Sequence, residues 1–176
     1  FLQQTMAEMN EKKIELDQAS YNIIISAFAK KKQLDDAMRV LDQMKENNVQ
    51  QNDVTHKSVI NCFINCGKLD EAEQKVKELI KTAKSSMDIG IINCYLFALK
   101  QPPIDIPRVE AILELVENNN IQWDLSTYNF VIDIYTEAGV DKKVIEYYDK
   151  MTKEGLCPDK NTFSSLLRKV SHDEPV

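Results

Sequence analysis

The feature that most constrains this chain is a pattern of apolar residues that recurs about every 35 residues. Each copy has residues at i, i+3, i+4 and i+7, positions that share one face of an α-helix. A second run of apolar residues at helical spacing follows each of the first four copies, so the sequence predicts paired helices. The five copies are Tyr21, Ile24, Ile25 and Phe28; His56, Val59, Ile60 and Phe63; Ile91, Cys94, Tyr95 and Ala98; Tyr128, Val131, Ile132 and Tyr135; and Phe163, Leu166, Leu167 and Val170.

Repeated helical hairpins predict an all-α fold. One hairpin cannot bury its apolar face alone, whereas stacked hairpins share a continuous core and form a concave surface. We therefore expect an α-solenoid of about ten helices and no strands, wound as a right-handed superhelix. The expected single array has a half repeat at 1–17, whole repeats at 18–52, 53–87, 88–124 and 125–159, and a half repeat at 160–176.

Composition agrees with helices and excludes several classes of protein. The 176 residues include only 4 Gly and 5 Pro, and no apolar run is long enough to cross a bilayer. A net charge of −6 argues against a protein that coats nucleic acid by bulk charge. Two His, no Gly-rich phosphate loop and an isolated Cys62/Cys66 pair predict no enzyme, no metal site and no cofactor.

Three stretches carry more specific motifs: SYNIIISAFAKKKQLDDAMRVLDQMKENNV, VTHKSVINCFINCGKLDEAEQKVKELI and STYNFVIDIYTEAGVDKKVIEYYDKMTKEGLCPD. Between them they carry Ser/Thr-Tyr-Asn at the start of the first helix in two stretches, Cys-Gly or Ala-Gly at the turn in two, Leu-Asp-Glu-Ala at the second helix in one, and Gly-x-x-Pro-Asp at the close in one. On these motifs the chain resembles the pentatricopeptide repeat proteins. The related tetratricopeptide repeat, which binds peptides, has a signature Trp and Leu-Gly in its first helix that are absent here.

The resemblance implies binding of single-stranded RNA, one base per repeat, read by two or three side chains. A polar residue near the start of each first helix and the last residue of the same repeat would contact the base. The resemblance places Asn22 with Asn52, a pair that favours a pyrimidine, and Asn129 with Asp159, a pair associated with uracil. The second repeat offers Lys57 with Met87 and the third offers Ile92 with Asp124, and neither pair fits the pattern.

The resemblance also implies residues that sandwich the base and bind phosphate. The sandwiching positions are Ala19, Val54, Ile89 and Ser126, and the phosphate-binding positions are Lys30, Lys31, Lys32 and Lys100. The first two whole repeats are slightly basic and the next two are acidic, so RNA contact should favour the first two.

Two functions stay open on the sequence. One is a single-stranded RNA-binding module, pyrimidine-leaning, that acts in organellar RNA metabolism or translation. The alternative is a scaffold subunit of a large organellar ribonucleoprotein, such as a mitochondrial ribosome, that contacts protein or structured RNA. We expect no membrane and no small-molecule substrate, and an organellar location, the mitochondrion before the chloroplast, with no transit peptide in this chain.

Overall fold

The computed structural model describes residues 15–83 and 87–172, and within these ranges the chain forms nine α-helices and no strand, as predicted. Most of the predicted leading half repeat, residues 1–14, lies outside the described part. No helix in the described ranges is long and apolar enough to cross a membrane. The helices are α1 Gln18–Lys30, α2 Leu34–Glu46, α3 Asp53–Asn65, α4 Leu69–Ala83, α5 Ile89–Leu99, α6 Ile106–Asn118, α7 Leu125–Glu137, α8 Asp141–Lys153 and α9 Lys160–His172.

The helices alternate between first and second members of hairpins. The odd-numbered helices are first helices, and each begins after an Asp or Asn whose side chain accepts a hydrogen bond from a backbone N–H of the first turn, the usual N-cap arrangement. These N-cap residues are Asp17, Asn52, Asp88, Asp124 and Asp159. Helix starts defined by a cap are well determined, so positions within different first helices can be compared.

The chain divides into two compact units, Phe1–Ala72 and Glu73–Val176. In the first unit, α1 packs against both α2 and α3. Its core contains the predicted apolar residues of α1, with Tyr21, Ile25 and Phe28 each at most 1% exposed. The remaining core residues of this unit include Ala37, Val40, Leu41, Met44, Val59 and Cys62.

In the second unit, α7 is the central helix and packs against α5, α8 and α9. The predicted face of α7 is fully buried, with Tyr128, Val131, Ile132 and Tyr135 at 0% exposure. The single tryptophan, Trp123, stacks on Tyr147 of α8 with ring centroids 5.6 Å apart. The second unit is therefore held together by aromatic as well as aliphatic packing.

Turns between paired helices use residues with left-handed backbone angles, as the Gly of the Cys-Gly and Ala-Gly motifs predicts. Gly67 and Gly139 have φ of +73° and +68°, and Lys32 occupies the same place in the first hairpin with φ of +57°. The prolines of the stretch KQPPIDIP predict a loop between paired helices, because proline breaks a helix interior. Pro107 departs from this prediction and lies in the first turn of α6, after the N-cap Asp105. A proline is tolerated there since no carbonyl needs its missing N–H.

Candidate nucleic-acid interface

A hydrogen-bonded triad joins neighbouring first helices at three places. In each, the fifth residue of one first helix is an Asn, and its side-chain amide donates to the N-cap residue of the next first helix. The third residue of that next helix is a Thr. The Thr hydroxyl in turn donates to the Asn side-chain oxygen. The triads are Asn22–Asn52–Thr55, Asn93–Asp124–Thr127 and Asn129–Asp159–Thr162.

The two triads at the predicted pairs have nearly the same geometry. Asn22 Nδ2 lies 3.1 Å from Asn52 Oδ1, and Asn129 Nδ2 lies 3.0 Å from Asp159 Oδ1. The Thr55 hydroxyl lies 2.6 Å from Asn22 Oδ1, and the Thr162 hydroxyl lies 2.6 Å from Asn129 Oδ1. The predicted partners are thus adjacent in space, although about 30 residues separate them in sequence.

In the third repeat, the structure places the fifth helical residue one position later than the sequence analysis predicted. Helix α5 begins at Ile89 after the N-cap Asp88, so its fifth residue is Asn93 and not Ile92. Asn93 Nδ2 lies 3.2 Å from Asp124 Oδ1, whereas Ile92 is 0% exposed in the core. The same shift puts Gly90, not Ile89, at the second position of the helix, where Ala19, Val54 and Ser126 lie in the others.

The shift arose because α5 is apolar on most of its faces. Ile91 and Ile92 are both buried, so the apolar template fits this helix in either register. The N-cap residue would have fixed the register of α5, because in every first helix an Asp or Asn lies five positions before the fifth residue. By the same rule Asp88, and not Met87, is the residue that precedes α5.

Two clefts gather several of the predicted site residues. A cleft of about 360 Å³ in the first unit is lined by Asn22, Val54 and Lys30, together with Ile23, Ser26 and Ala27. A cleft of about 340 Å³ in the second unit is lined by Asn129, Asp159, Ser126 and Lys100 among others. Each cleft therefore combines a predicted base-reading residue, a predicted sandwiching residue and a predicted phosphate-binding lysine.

The other predicted site residues differ in exposure. Val54 is 51% exposed, and Ala19 and Ser126 are also exposed. Lys57 is half-buried at the fifth position of α3, the place that Asn occupies in α1, α5 and α7. Lys31 and Lys32 are exposed at the end of α1 beside Lys30.

Lys100 has a different environment from Lys30. Its Nζ forms an ion pair with Asp133 of α7, which is only 6% exposed. Arg168 of α9 also binds Asp133, at 2.5 Å, and binds Glu137 at 2.7 Å. Both cations in the cleft of the second unit are therefore neutralised within the protein, a feature that the sequence alone did not predict.

The acidic members of the triads are ionised at neutral pH. Burial raises the pKa of the Asp124 carboxyl, but hydrogen bonds from Thr127 and Asn93 outweigh it and leave that pKa below its ordinary value. Hydrogen bonds from the backbone and side chain of Thr162 and from Asn129 likewise lower the pKa of the half-buried Asp159. A carboxylate can only accept, so it fixes the neighbouring Asn with its amide N–H toward the acid.

Comparison with known proteins agrees with this repeated architecture. The PPR repeat family matches residues 16–65 and 124–172, and a single PPR repeat matches residues 54–81. A crystal structure of the pentatricopeptide repeat protein PPR10 in complex with an 18-nt psaJ RNA element superposes on 97% of this chain and 25% of its own, with a TM-score of 0.75 and 18% identity.

Three relatives from Arabidopsis thaliana illustrate the range of similar proteins. The small ribosomal subunit protein mL103 (rPPR7) is 22% identical over 88% of this chain and 37% of its own length. A putative mitochondrial pentatricopeptide repeat-containing protein is 26% identical over 86% of this chain and 23% of its own. A chloroplastic one is 24% identical over 86% and 28% respectively. The chain spans little more than a third of these relatives at most.

Proposed function

We propose, since the chain belongs to the PPR repeat family, that it binds single-stranded RNA through the Asn side chains of its three triads. The observation that carries this proposal is the recurrence of one Asn–Asp/Asn–Thr arrangement at the fifth position of α1, α5 and α7. Recurrence at one register supports a chain of similar subsites, as base-by-base recognition by helical repeats requires.

The triad leaves each Asn amide able to contact a base. One N–H is used by the N-cap residue and one lone pair by the Thr hydroxyl, so a second N–H and a second lone pair remain. A donor beside an acceptor is complementary to the Watson–Crick edge of a pyrimidine. With Asn93 in register, two triads have the Asn/Asp composition that the family resemblance associates with uracil, and one has the Asn/Asn composition.

The predicted neighbours complete these subsites. Val54 and Ser126 lie in the same clefts as Asn22 and Asn129, and we assign them, with Ala19, to contact with the base face. Ile89 loses that assignment because Gly90 occupies the equivalent position. Lys30 lines the cleft of Asn22, so we assign phosphate contact to Lys30 and to the adjacent Lys31 and Lys32.

Fluorescence anisotropy tests the proposal directly. The chain is titrated into labelled U-rich single-stranded RNA, A-rich single-stranded RNA and duplex RNA at low and moderate salt. We expect micromolar or tighter binding to U-rich RNA, with weaker binding to the other two. The absence of U-rich RNA binding at low salt would contradict the proposal.

A matched pair of variants then tests the triad. Asn129→Ala removes the amide that faces the base, and we expect binding to U-rich RNA to weaken about tenfold, consistent with 1–3 kcal/mol for a well-placed base contact. Asn118→Ala changes an exposed Asn at the end of α6 and should leave the affinity unchanged. Equal affinities for the two variants would count against base reading by Asn129.

A second candidate function is a scaffold subunit of an organellar ribonucleoprotein that contacts protein subunits or structured RNA. The neutralised cations Lys100 and Arg168 favour it, because they weaken phosphate binding in the second unit. The similarity to a small ribosomal subunit protein agrees with it. Co-purification of the tagged full-length protein with ribosomal subunits, without U-rich RNA binding by the chain, would support this function over the first.

We extend the proposal to location in an organelle, because the related proteins named above include a mitochondrial and a chloroplastic one. Of the two organelles, we propose the mitochondrion before the chloroplast. No catalytic role is proposed. Within residues 15–83 and 87–172, no group of three or more His, Cys, Asp or Glu side chains is arranged to hold a metal ion. Imaging of the tagged full-length protein against markers of both organelles tests the location.

A further inference from the structure

An exposed phenylalanine pairs with a half-buried one on the second unit. Phe97 of α5 and Phe130 of α7 have ring centroids 6.0 Å apart and an interplanar angle of 72°, an edge-to-face contact. Phe97 remains 55% exposed, whereas Tyr95 and Tyr128 on the same two helices are 0% exposed. The pair therefore belongs to the surface of this unit and not to its core.

The Phe97–Phe130 pair lies between the Asn93–Asp124 hydrogen bond and the Lys100–Asp133 ion pair. On α5 and its C-cap, Asn93, Phe97 and Lys100 follow one another at i, i+4 and i+7, which places them on one helix face. Each contacts α7 or its N-cap: Asn93 binds Asp124, Phe97 packs on Phe130, and Lys100 pairs with Asp133. Phe130 also lines the cleft that contains Asn129.

Packing between first helices does not require an aromatic pair at this place. The ninth residue of one first helix meets the sixth residue of the next at two further places. These contacts are Ser26 with Ser58, whose hydroxyl oxygens are 2.7 Å apart, and Asp133 with Ser165, at 2.9 Å. Because polar side chains fill the same position elsewhere, the fold alone does not explain an exposed Phe97.

We propose that Phe97, supported edge-on by Phe130, is a stacking platform for one nucleobase of a bound single-stranded RNA; this inference rests on the proposed function. Every nucleobase has a flat π-face, so a platform adds affinity without selecting a sequence. The edge-to-face contact restrains the Phe97 ring, and its exposure leaves the ring accessible. The subsite also lies beside the Asn93–Asp124 pair, in the repeat that lacks a sandwiching side chain at Gly90.

Substitution at Phe97 tests the platform. Phe97→Ala should weaken binding to U-rich RNA between about fivefold and 150-fold, the range measured for loss of one base–aromatic stack. Phe97→Tyr keeps an aromatic face and should bind like the parent, whereas Phe97→Leu keeps only apolar bulk and should bind like Phe97→Ala. The control is Ile145→Ala on α8, because Ile145 is also 55% exposed and lies outside the clefts described above. Circular dichroism confirms that each variant folds.

An abasic scan identifies the stacked base. Removing the base that stacks on Phe97 should weaken binding to the parent but should cost the Phe97→Ala variant nothing more. Unchanged binding by Phe97→Ala, or full rescue by Phe97→Leu, would overturn the platform while leaving RNA binding itself intact. Failure of the parent chain to bind U-rich RNA would instead contradict the proposed function, so the two failures are distinguishable.

Discussion

At the scale of single residues, Asp133 determines whether the cations in the cleft of the second unit can bind a phosphate. Its carboxylate binds Ser165 at 2.9 Å and forms ion pairs with Lys100 and Arg168. A phosphate must displace the buried Asp133 carboxylate before Lys100 or Arg168 can bind the phosphate. The residue therefore limits the proposed RNA binding in the part of the chain where the family resemblance placed a phosphate-binding lysine.

Neutralising Asp133 should strengthen RNA binding. In Asp133→Asn, Lys100 loses its ion pair and can bind a phosphate, whereas Arg168 keeps its ion pair with Glu137. One added phosphate contact makes the slope of log K against log salt for single-stranded RNA more negative by about 0.7. Asp149→Asn, an exposed substitution on α8 with the same change in net charge, is the control. Equal salt slopes for the two variants would refute this role.

Asp124 has a structural role as an N-cap as well as its proposed contact with a base. Its side chain accepts from the backbone N–H of Thr127 at 2.7 Å, so Asp124→Ala should lower the free energy of unfolding by about 1 kcal/mol at pH 7. The lowered pKa of Asp124 sets the sign of the pH dependence. A carboxyl whose pKa is lower in the folded state stabilises the protein above its unfolded pKa, and this contribution is lost as the pH falls through the folded value.

The difference between parent and Asp124→Ala should therefore shrink as the pH falls below the ordinary value of 3.8. Urea unfolding followed by the fluorescence of Trp123, the neighbouring residue and the only tryptophan, measures it. A difference that stays constant from pH 7 to below pH 3 would show that the ionised carboxylate is not what caps α7.

At the scale of helices and turns, the first hairpin has a lysine where two others have glycine. Lys32 N–H bonds to Ala29 O and Gln33 N–H to Phe28 O, the same pattern that Gly67 and Lys68 make at the end of α3. These two backbone hydrogen bonds end the helix at a residue with left-handed backbone angles. That conformation is strained for any residue but glycine. The end of α1 therefore keeps a lysine at a conformational cost.

Lys32→Gly should raise the free energy of unfolding by about 1 kcal/mol, since it relieves the left-handed strain. Lys31→Gly is the matched control, because Lys31 has φ of −85° and gains nothing from glycine. Chemical denaturation of both variants measures the difference. If Lys32 binds phosphate as proposed, the same substitution weakens RNA binding while it stabilises the fold.

The helices show how far the sequence could predict this molecule. Periodic apolar residues predicted the helices and the buried faces of α1 and α7, because one face of each is polar enough to fix the register. Helix α5 is apolar on several faces, so periodicity could not distinguish Ile92 from Asn93. The triad threonines were missed because the bonds of Thr55, Thr127 and Thr162 to an Asn join residues 33 or 34 positions apart, although each Thr also bonds the N-cap residue of its own helix.

At the scale of the whole molecule, the two units differ in charge at their clefts. In the first unit, Lys30 lies beside Asn22 and Val54 in a cleft whose lining includes no acidic side chain among the residues that the structure describes. In the second unit, the cleft lining includes Asp133 and Asp159 as well as Lys100 and Arg168. We therefore expect the first unit to provide most of the salt-sensitive affinity and the second unit to contribute base contacts.

The most direct test of base reading is the NMR signal of the triad amides. Side-chain amide groups of Asn22, Asn93 and Asn129 can be followed in a 176-residue chain during titration with U-rich single-stranded RNA. The proposed contacts predict that these three signals shift and saturate together with binding, while the signal of Asn118 stays in place. Saturated binding that leaves all three triad amides unmoved would contradict recognition of bases by the Asn triads.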